Sequence, residues 1–152
     1  MNIEKLDRVV VYVENLEKAK QTYANLLGIE FDEIPFDSVQ PIKLEPGGGA
    51  EAAAQDAAPV GQKVAISRAG LELIEGSLQP DAPPQVACFH FKVSDYEGAK
   101  AEMVEKGLPL LLDITLGTLR EAIYRPQGED GPMMGLVSYP DSYVMDSIKS
   151  QG

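Results

Sequence analysis

The feature that most constrains this chain is a pattern it carries twice. Residues 6–28, LDRVVVYVENLEKAKQTYANLLG, read as a buried strand followed by an amphipathic helix, and residues 86–107, VACFHFKVSDYEGAKAEMVEKG, repeat that order about 80 residues later. In the first copy Leu6–Val13 is rich in Val and bounded by charge, as a strand is. Alternation sets Arg8, Val10 and Tyr12 on one face and Val9, Val11 and Val13 on the other. Asn15 suits the helix N-cap. Leu16, Ala19, Tyr23, Leu26 and Leu27 fall at helical spacing, which predicts one apolar stripe against a sheet, and Gly28 is a natural stop. In the second copy VACFHFKV is the strand, with Cys88, His90 and Lys92 on one face. Ser94 or Asp95 caps the helix, which ends at Gly107.

Short strands follow each copy. After the first come IEFDEIPF and VQPIKLEP, which Pro35 and Pro41 confine to edges or turns, and then a hairpin of VAIS and LELIE around Arg68-Ala69-Gly70. After the second come LPLLLDI, LREAIYRP and MMGLVSYP, with QGEDGP turning between the last two and a short helix expected in the tail YVMDSIKSQG. This order predicts one domain over 1–152 made of two modules, 3–78 and 85–140, joined by a proline-rich linker at 79–84. Residues 46–61, PGGGAEAAAQDAAPVG, have little to bury and are expected to be a mobile loop, either an inert insertion or a lid over a pocket.

Composition removes several function classes. A net charge of −11 and a pI near 4.4 oppose nucleic-acid binding and anionic membrane surfaces, both of which need clustered Lys and Arg. No apolar run approaches the roughly 20 residues of a membrane span, and MNIEKLDR lacks the apolar core of a signal peptide, so a cytoplasmic protein is expected. The single cysteine, Cys88, excludes an internal disulfide and a multi-cysteine metal site.

The ordered repeat, βαβββ twice over nearly the whole chain, resembles the vicinal oxygen chelate superfamily. That group includes glyoxalase I, methylmalonyl-CoA epimerase, extradiol dioxygenases and bleomycin-resistance proteins. The resemblance implies an α+β fold in which two βαβββ modules form an open, curved, mixed β-sheet around a ligand cleft. It also implies homodimerisation. Metalloenzymes of the superfamily hold a divalent cation with His on the first strand of each module and Glu on a later one. Carried onto this chain, those positions are Arg8 in LDRVVV, Cys88 in VACFHF, Glu72 in GLELIEG and Gly135 in PMMGLVSYP.

Only Glu72 is a customary ligand. Arginine has no free lone pair and glycine has no side chain. The expectation is therefore no metal and no other cofactor, with a Glu72/His90/Cys88 divalent-metal site as the alternative. Arg8 and Glu72 take positions that would share one cation, which predicts an ion pair. It either presents a fixed positive charge to the cleft or closes a dead site. Tyr12, Glu72, Cys88 and Tyr139 join Arg8 as candidate ligand-binding residues. His90 is the candidate catalytic acid or base, the competing reading being a core histidine held by a backbone carbonyl. Tyr124 is expected in the same cavity, and Met133 and Met134 as an adaptable apolar wall.

The function expected is binding of a small, partly apolar anionic or phenolic molecule without metal. The alternative is an enzyme of the same superfamily, a lyase, isomerase or dioxygenase, using His90 or the Glu72/His90 metal site. A third possibility is an accessory subunit whose cleft is vestigial.

Overall fold

The Val-rich first segment forms β1 (Ile3–Val13), which lies mid-sheet between strands of both modules. The computed structural model describes residues 1–39, 42–46, 63–76, 85–126, 128 and 131–150. The expected loop at 46–61, beyond Pro46, and the linker at 79–84 lie outside the described residues. After β1 come α1 (Leu16–Leu27), β2 (Asp32–Glu33), β3 (Ile42–Pro46), β4 (Val64–Ile66) and β5 (Leu71–Glu75). The second module supplies β6 (Gln85–Val93), α2 (Tyr96–Glu105), β7 (Leu110–Leu116), β8 (Leu119–Tyr124) and β9 (Met133–Ser138). A short helix, α3 (Val144–Lys149), follows.

Among the described residues, nine strands make one mixed sheet in the order β2-β4-β5-β1-β6-β9-β8-β7-β3. The modules meet where β1 and β6 pair antiparallel, with Arg8 opposite His90 and Val10 opposite Cys88. Each first strand pairs in parallel with its own module's last strand: β1 with β5, setting Val10 beside Glu72, and β6 with β9, setting His90 beside Gly135. The registers therefore relate Arg8 to Cys88, Val10 to His90 and Glu72 to Gly135, the equivalences the repeat implies. One strand breaks the symmetry. β3 comes from the first module yet pairs with β7, at the far edge of the second.

The two helices form where their caps predict. Asn15 Oδ1 accepts from the Lys18 backbone N–H at 2.8 Å, and Gly28 ends α1 with φ 64°. Of the two candidates, Asp95 caps α2, accepting from Gly98 N–H at 3.0 Å. The expected apolar stripe of α1 holds only in part. Leu16 is buried on Val13, Ala65 and Leu73, and Ala19 and Tyr23 pack beside it, but Leu26 and Leu27 are exposed.

The concave face carries the main core, built from Val10, Val64, Ile66, Leu112, Leu119, Ile123, Val137 and others. α3 closes this face, burying Val144, Met145 and Ile148 in the same cluster. Tyr124 does not join it. Alternation along β8 turns Tyr124 outward, under α2 with Tyr96 and Met103. The same alternation separates the methionine pair, sending Met133 to the concave core and Met134 to the α2 side, so only Met133 can wall the cleft.

Candidate functional site

The concave face of β1, β5, β6 and β8 brings ionisable side chains together at one end of an apolar cleft. Arg8, only 3 % exposed, donates from Nε to Glu72 Oε2 at 2.5 Å and from Nη1 to Asp7 Oδ2 at 2.6 Å. Its Nη2 lies 3.6 Å from Glu121 Oε2. A register irregularity between Leu6 and Arg8 accompanies the turning-in of Asp7, whose side chain is as buried as that of Arg8. Tyr139 donates its hydroxyl to Asp7 Oδ1, while Lys5, half exposed, lies 3.3 Å from the same oxygen. Tyr139 thus props the carboxylate behind Arg8, and its ring carries the Lys92 ammonium 3.8 Å from its centroid.

His90 completes the cluster from β6. Its Nε2 lies 2.8 Å from Glu121 Oε1. Its ring lies against the backbone of Gly135, where a Cβ would come within 2.5 Å of Cδ2. The imidazole fills the space that a side chain at 135 would need. Cys88 neighbours it, making its own weak contact to the Phe89 carbonyl at 3.8 Å. Among the described residues, His90 Nδ1 is a buried side-chain nitrogen without a hydrogen-bond partner.

The charges in this cluster depend on one another. Burial alone would lower the pKa of Arg8, but Glu72, Glu121 and Asp7 outweigh it and hold the guanidinium well above its ordinary pKa. Burial would likewise lower the pKa of His90, yet the Glu121 carboxylate and then Cys88 raise it to about 10. Burial would raise the pKa of Glu121, but His90 and Arg8 bring it down to about 2. For Asp7 too, Arg8 prevails over burial and the carboxyl stays ionised below its usual range. At neutral pH, Arg8 and His90 are therefore cations facing the anions Asp7 and Glu121. Tyr12, whose hydroxyl is pushed up to about 12 by burial and then by Cys88, is neutral there.

Arg8, Tyr12, Glu72, Cys88 and His90 all line one cavity of about 80 Å³, together with Glu121. The rest of its wall is apolar, including Val10, Ile66, Leu112, Leu119, Met133 and Ile148. Pockets for drug-sized ligands run to roughly 300 Å³ and above, so with α3 in place this cleft suits only a few heavy atoms. A wider, open groove of about 1,100 Å³ lies outside along α1. Of its cations, Lys20 pairs with Glu17 and Glu33, and Arg68 lies against the Tyr143 ring at 4.0 Å.

The model of the Glyoxalase/Bleomycin resistance protein/Dioxygenase superfamily matches residues 5–133. The chain belongs to that superfamily. Its solved structural relatives include methylmalonyl-CoA epimerase from Mycobacterium tuberculosis, with 18 % identity and a TM-score of 0.64 over 91 % of this chain and 90 % of that one. A variant of the Streptomyces coelicolor methylmalonyl-CoA epimerase in complex with 2-nitronate-propionyl-CoA is similar at 16 % identity and TM-score 0.61, over 92 % and 100 %. A methylmalonyl-CoA epimerase in complex with methylmalonyl-CoA and NH4⁺ matches at 16 % and 0.61, over 98 % and 99 %. At such identities these likenesses show the shared superfamily fold. No curated protein sequence matches this one.

Metalloenzymes of the superfamily hold a divalent cation, and the residues at those four positions here do not make up a customary ligand set. Of the four ligand positions, Arg8 offers only donors and Gly135 has no side chain. Glu72 is bound to Arg8, and His90 Nε2 to Glu121. Among the described residues no three His, Cys, Asp or Glu side chains converge in a way that could hold a metal ion. A catalytic zinc or iron wants about three such donors. Sequence reasoning missed two members of the cluster, Asp7 and Glu121. For Glu121 a signal existed: Leu119, Glu121 and Ile123 alternate, placing a carboxylate on an otherwise apolar face.

Proposed function

We propose that this superfamily member binds a small, mostly apolar molecule in its cleft without a metal ion. The observation that carries the reading is the buried guanidinium of Arg8, at a position where the superfamily's metalloenzymes carry a ligand, set among the carboxylates of Glu72, Asp7 and Glu121. An ion pair network of this kind supplies internally the charge that a metal would supply. The apolar wall then provides the binding free energy, and the polar end fixes orientation. The sequence suggested an anionic or phenolic ligand, and Arg8 as its anchor. The three carboxylates around Arg8 favour a ligand with a neutral or phenolic oxygen over a carboxylate. Homodimerisation and a cytoplasmic location belong to this proposal on the resemblance and the sequence alone.

A second reading is an enzyme that uses His90. It is motivated by the free Nδ1 beside the cavity. The raised pKa makes the imidazole a proton donor at neutral pH rather than a base, so this reading narrows to general-acid chemistry.

The test is elemental analysis of purified protein, followed by thermal-shift series with Mn, Fe, Co, Ni and Zn and with small neutral apolar compounds, on wild type and Glu72→Ala. The expected outcome is no stoichiometric metal, no metal-dependent shift, and stabilisation that grows with concentration of an apolar compound. Stoichiometric metal, with stabilisation lost in Glu72→Ala, would overturn the proposal.

A further inference from the structure

We infer that α3 is a displaceable plug in the cleft, and that an elongated apolar molecule binds by taking the places of its Met145 and Ile148 side chains. This inference rests on the metal-free binding reading above and names the size and shape of its ligand. Four observations lead to it.

The first is where α3 lies. The buried side chains of α1 and α2 join clusters on the convex face, whereas Val144, Met145 and Ile148 join the cluster on the concave one. Among the described residues α3 is thus the one helix inside the cleft. Ile148 forms part of the wall of the cavity that Arg8 and His90 also line. The second is what α3 puts there. Met145 and Ile148 are each 1 % exposed and wholly apolar, while Asp146 and Lys149 stay in solvent. The polar end of the cleft, Arg8, Glu72, His90 and Glu121, is paired within itself and not to α3. The helix therefore fills only the apolar part of the cleft, the part an apolar molecule would fill.

The third observation is how lightly α3 is held. It has no side-chain N-cap. Its ties to the first module are two. The Tyr143 hydroxyl shares its one proton between the Ile66 carbonyl at 2.9 Å and Asp32 Oδ2 at 2.8 Å, and Arg68 lies 4.0 Å from Asp146 with both side chains more than half exposed. An exposed ion pair of that length adds little. A helix of six residues has no stability of its own away from its seat, so once lifted it unfolds. Elements with so few ties open well before the whole domain does. The fourth is size. The cavity left beneath α3, about 80 Å³, falls far short of the roughly 300 Å³ at which pockets for drug-sized molecules begin. Val64, Ile66, Leu112 and Leu119 line that cavity and belong to the same cluster as the buried side chains of α3, so lifting the helix extends one continuous apolar wall.

A ligand that needs α3 lifted binds in proportion to the fraction of molecules in which it is lifted. Loosening α3 therefore tightens binding, the opposite of what losing part of a binding wall would do. The experiment uses the full chain and Nile red, a neutral elongated dye, followed by fluorescence titration and by amide exchange on the same complex. One dye is expected to bind per chain, with faster exchange at Met145–Ile148. Tyr143→Phe, which removes the shared proton, is expected to bind about five-fold more tightly than wild type. Leu16→Ala, which opens a hole on the convex face and lowers stability without touching α3, is expected to bind as wild type does. Dye binding with exchange at those amides unchanged or slowed overturns the inference and leaves metal-free binding standing. Equal gains in Tyr143→Phe and Leu16→Ala would reveal general loosening and overturn it too, as would absence of dye binding in all three proteins. Stoichiometric divalent metal whose removal abolishes dye binding would overturn both the inference and the reading beneath it.

Discussion

Arg8, Glu121 and His90 form a relay in which each group's charge depends on the next. Sequence reasoning reached the contact between Arg8 and Glu72, because alternation places both on the concave face and the superfamily brings their positions to one point. It did not reach Glu121, although alternation with Leu119 and Ile123 sets that carboxylate on an otherwise apolar face of LREAIY. Arg120 turns out to the Tyr96 ring, 4.3 Å from its centroid, and Glu121 turns in to His90. Alternation says which one faces inward, but the partner that receives it is a histidine 31 residues earlier, which local pattern does not encode.

The relay sets a pH dependence whose sign follows from the shifts. The folded pKa of His90 lies near 10, above the ordinary 6.5, so its stabilisation is complete below about 6.5 and is lost as pH rises toward 10. Glu121 sits near 2 against an ordinary 4.5, so its stabilisation is complete above about 4.5 and fades as pH falls toward 2. Urea unfolding across pH should show a plateau near 4.5–6.5 and an alkaline decline that Glu121→Gln flattens. An alkaline limb unchanged in that variant would mean that Glu121 does not hold the His90 proton.

Among the elements, α3 decides how much of the cleft is open. Ile148 reaches the cavity wall, and the helix is held down by Thr118 N–H donating to the Ser147 carbonyl at 2.9 Å. The Tyr143 hydroxyl, just before it, shares its one proton between the Ile66 carbonyl at 2.9 Å and Asp32 Oδ2 at 2.8 Å. The helix can dock this closely because the β7–β8 turn offers Gly117. That residue has φ 61°, and any Cβ there would collide with the Ser147 and Ile148 carbonyl oxygens. Gly117→Ala should therefore undock α3 at a cost of about 1–3 kcal/mol. Amide exchange at Met145–Ile148 should rise toward unprotected rates, and the widened cleft should bind a hydrophobic dye. Retained protection would show that α3 docks independently of that turn. A short helix in YVMDSIKSQG was legible from the sequence, but its seat was not. Six residues carry too little periodicity to name a partner, and the face they cover is assembled from both modules. At the end of α1 the apolar spacing was real, yet Leu26 and Leu27 stay exposed, because spacing alone does not supply a surface to bury against.

On the scale of the whole molecule, the two-module sheet was readable from the repeat, and the family match and structural relatives agree with it. The crossing of β3 was not readable. Repetition predicts that each module keeps its own strands, whereas pairing depends on which edge is free, and β7 leaves one. This strand ties the halves together beyond the β1–β6 seam. Residues 85–152 made alone should expose the β7 edge, self-associate and lack a cooperative unfolding transition, and adding residues 1–76 should restore a soluble complex. Sedimentation and circular dichroism of the separate and mixed halves would check this, and a stable, monomeric 85–152 would refute it. The same crossing has a consequence for synthesis. Ile42 leaves the ribosome roughly seventy residues ahead of Leu116, the residue it must pair with. At ordinary elongation rates that is a wait on the order of several seconds. The nascent first half spends that time with a strand whose only berth has not yet been translated.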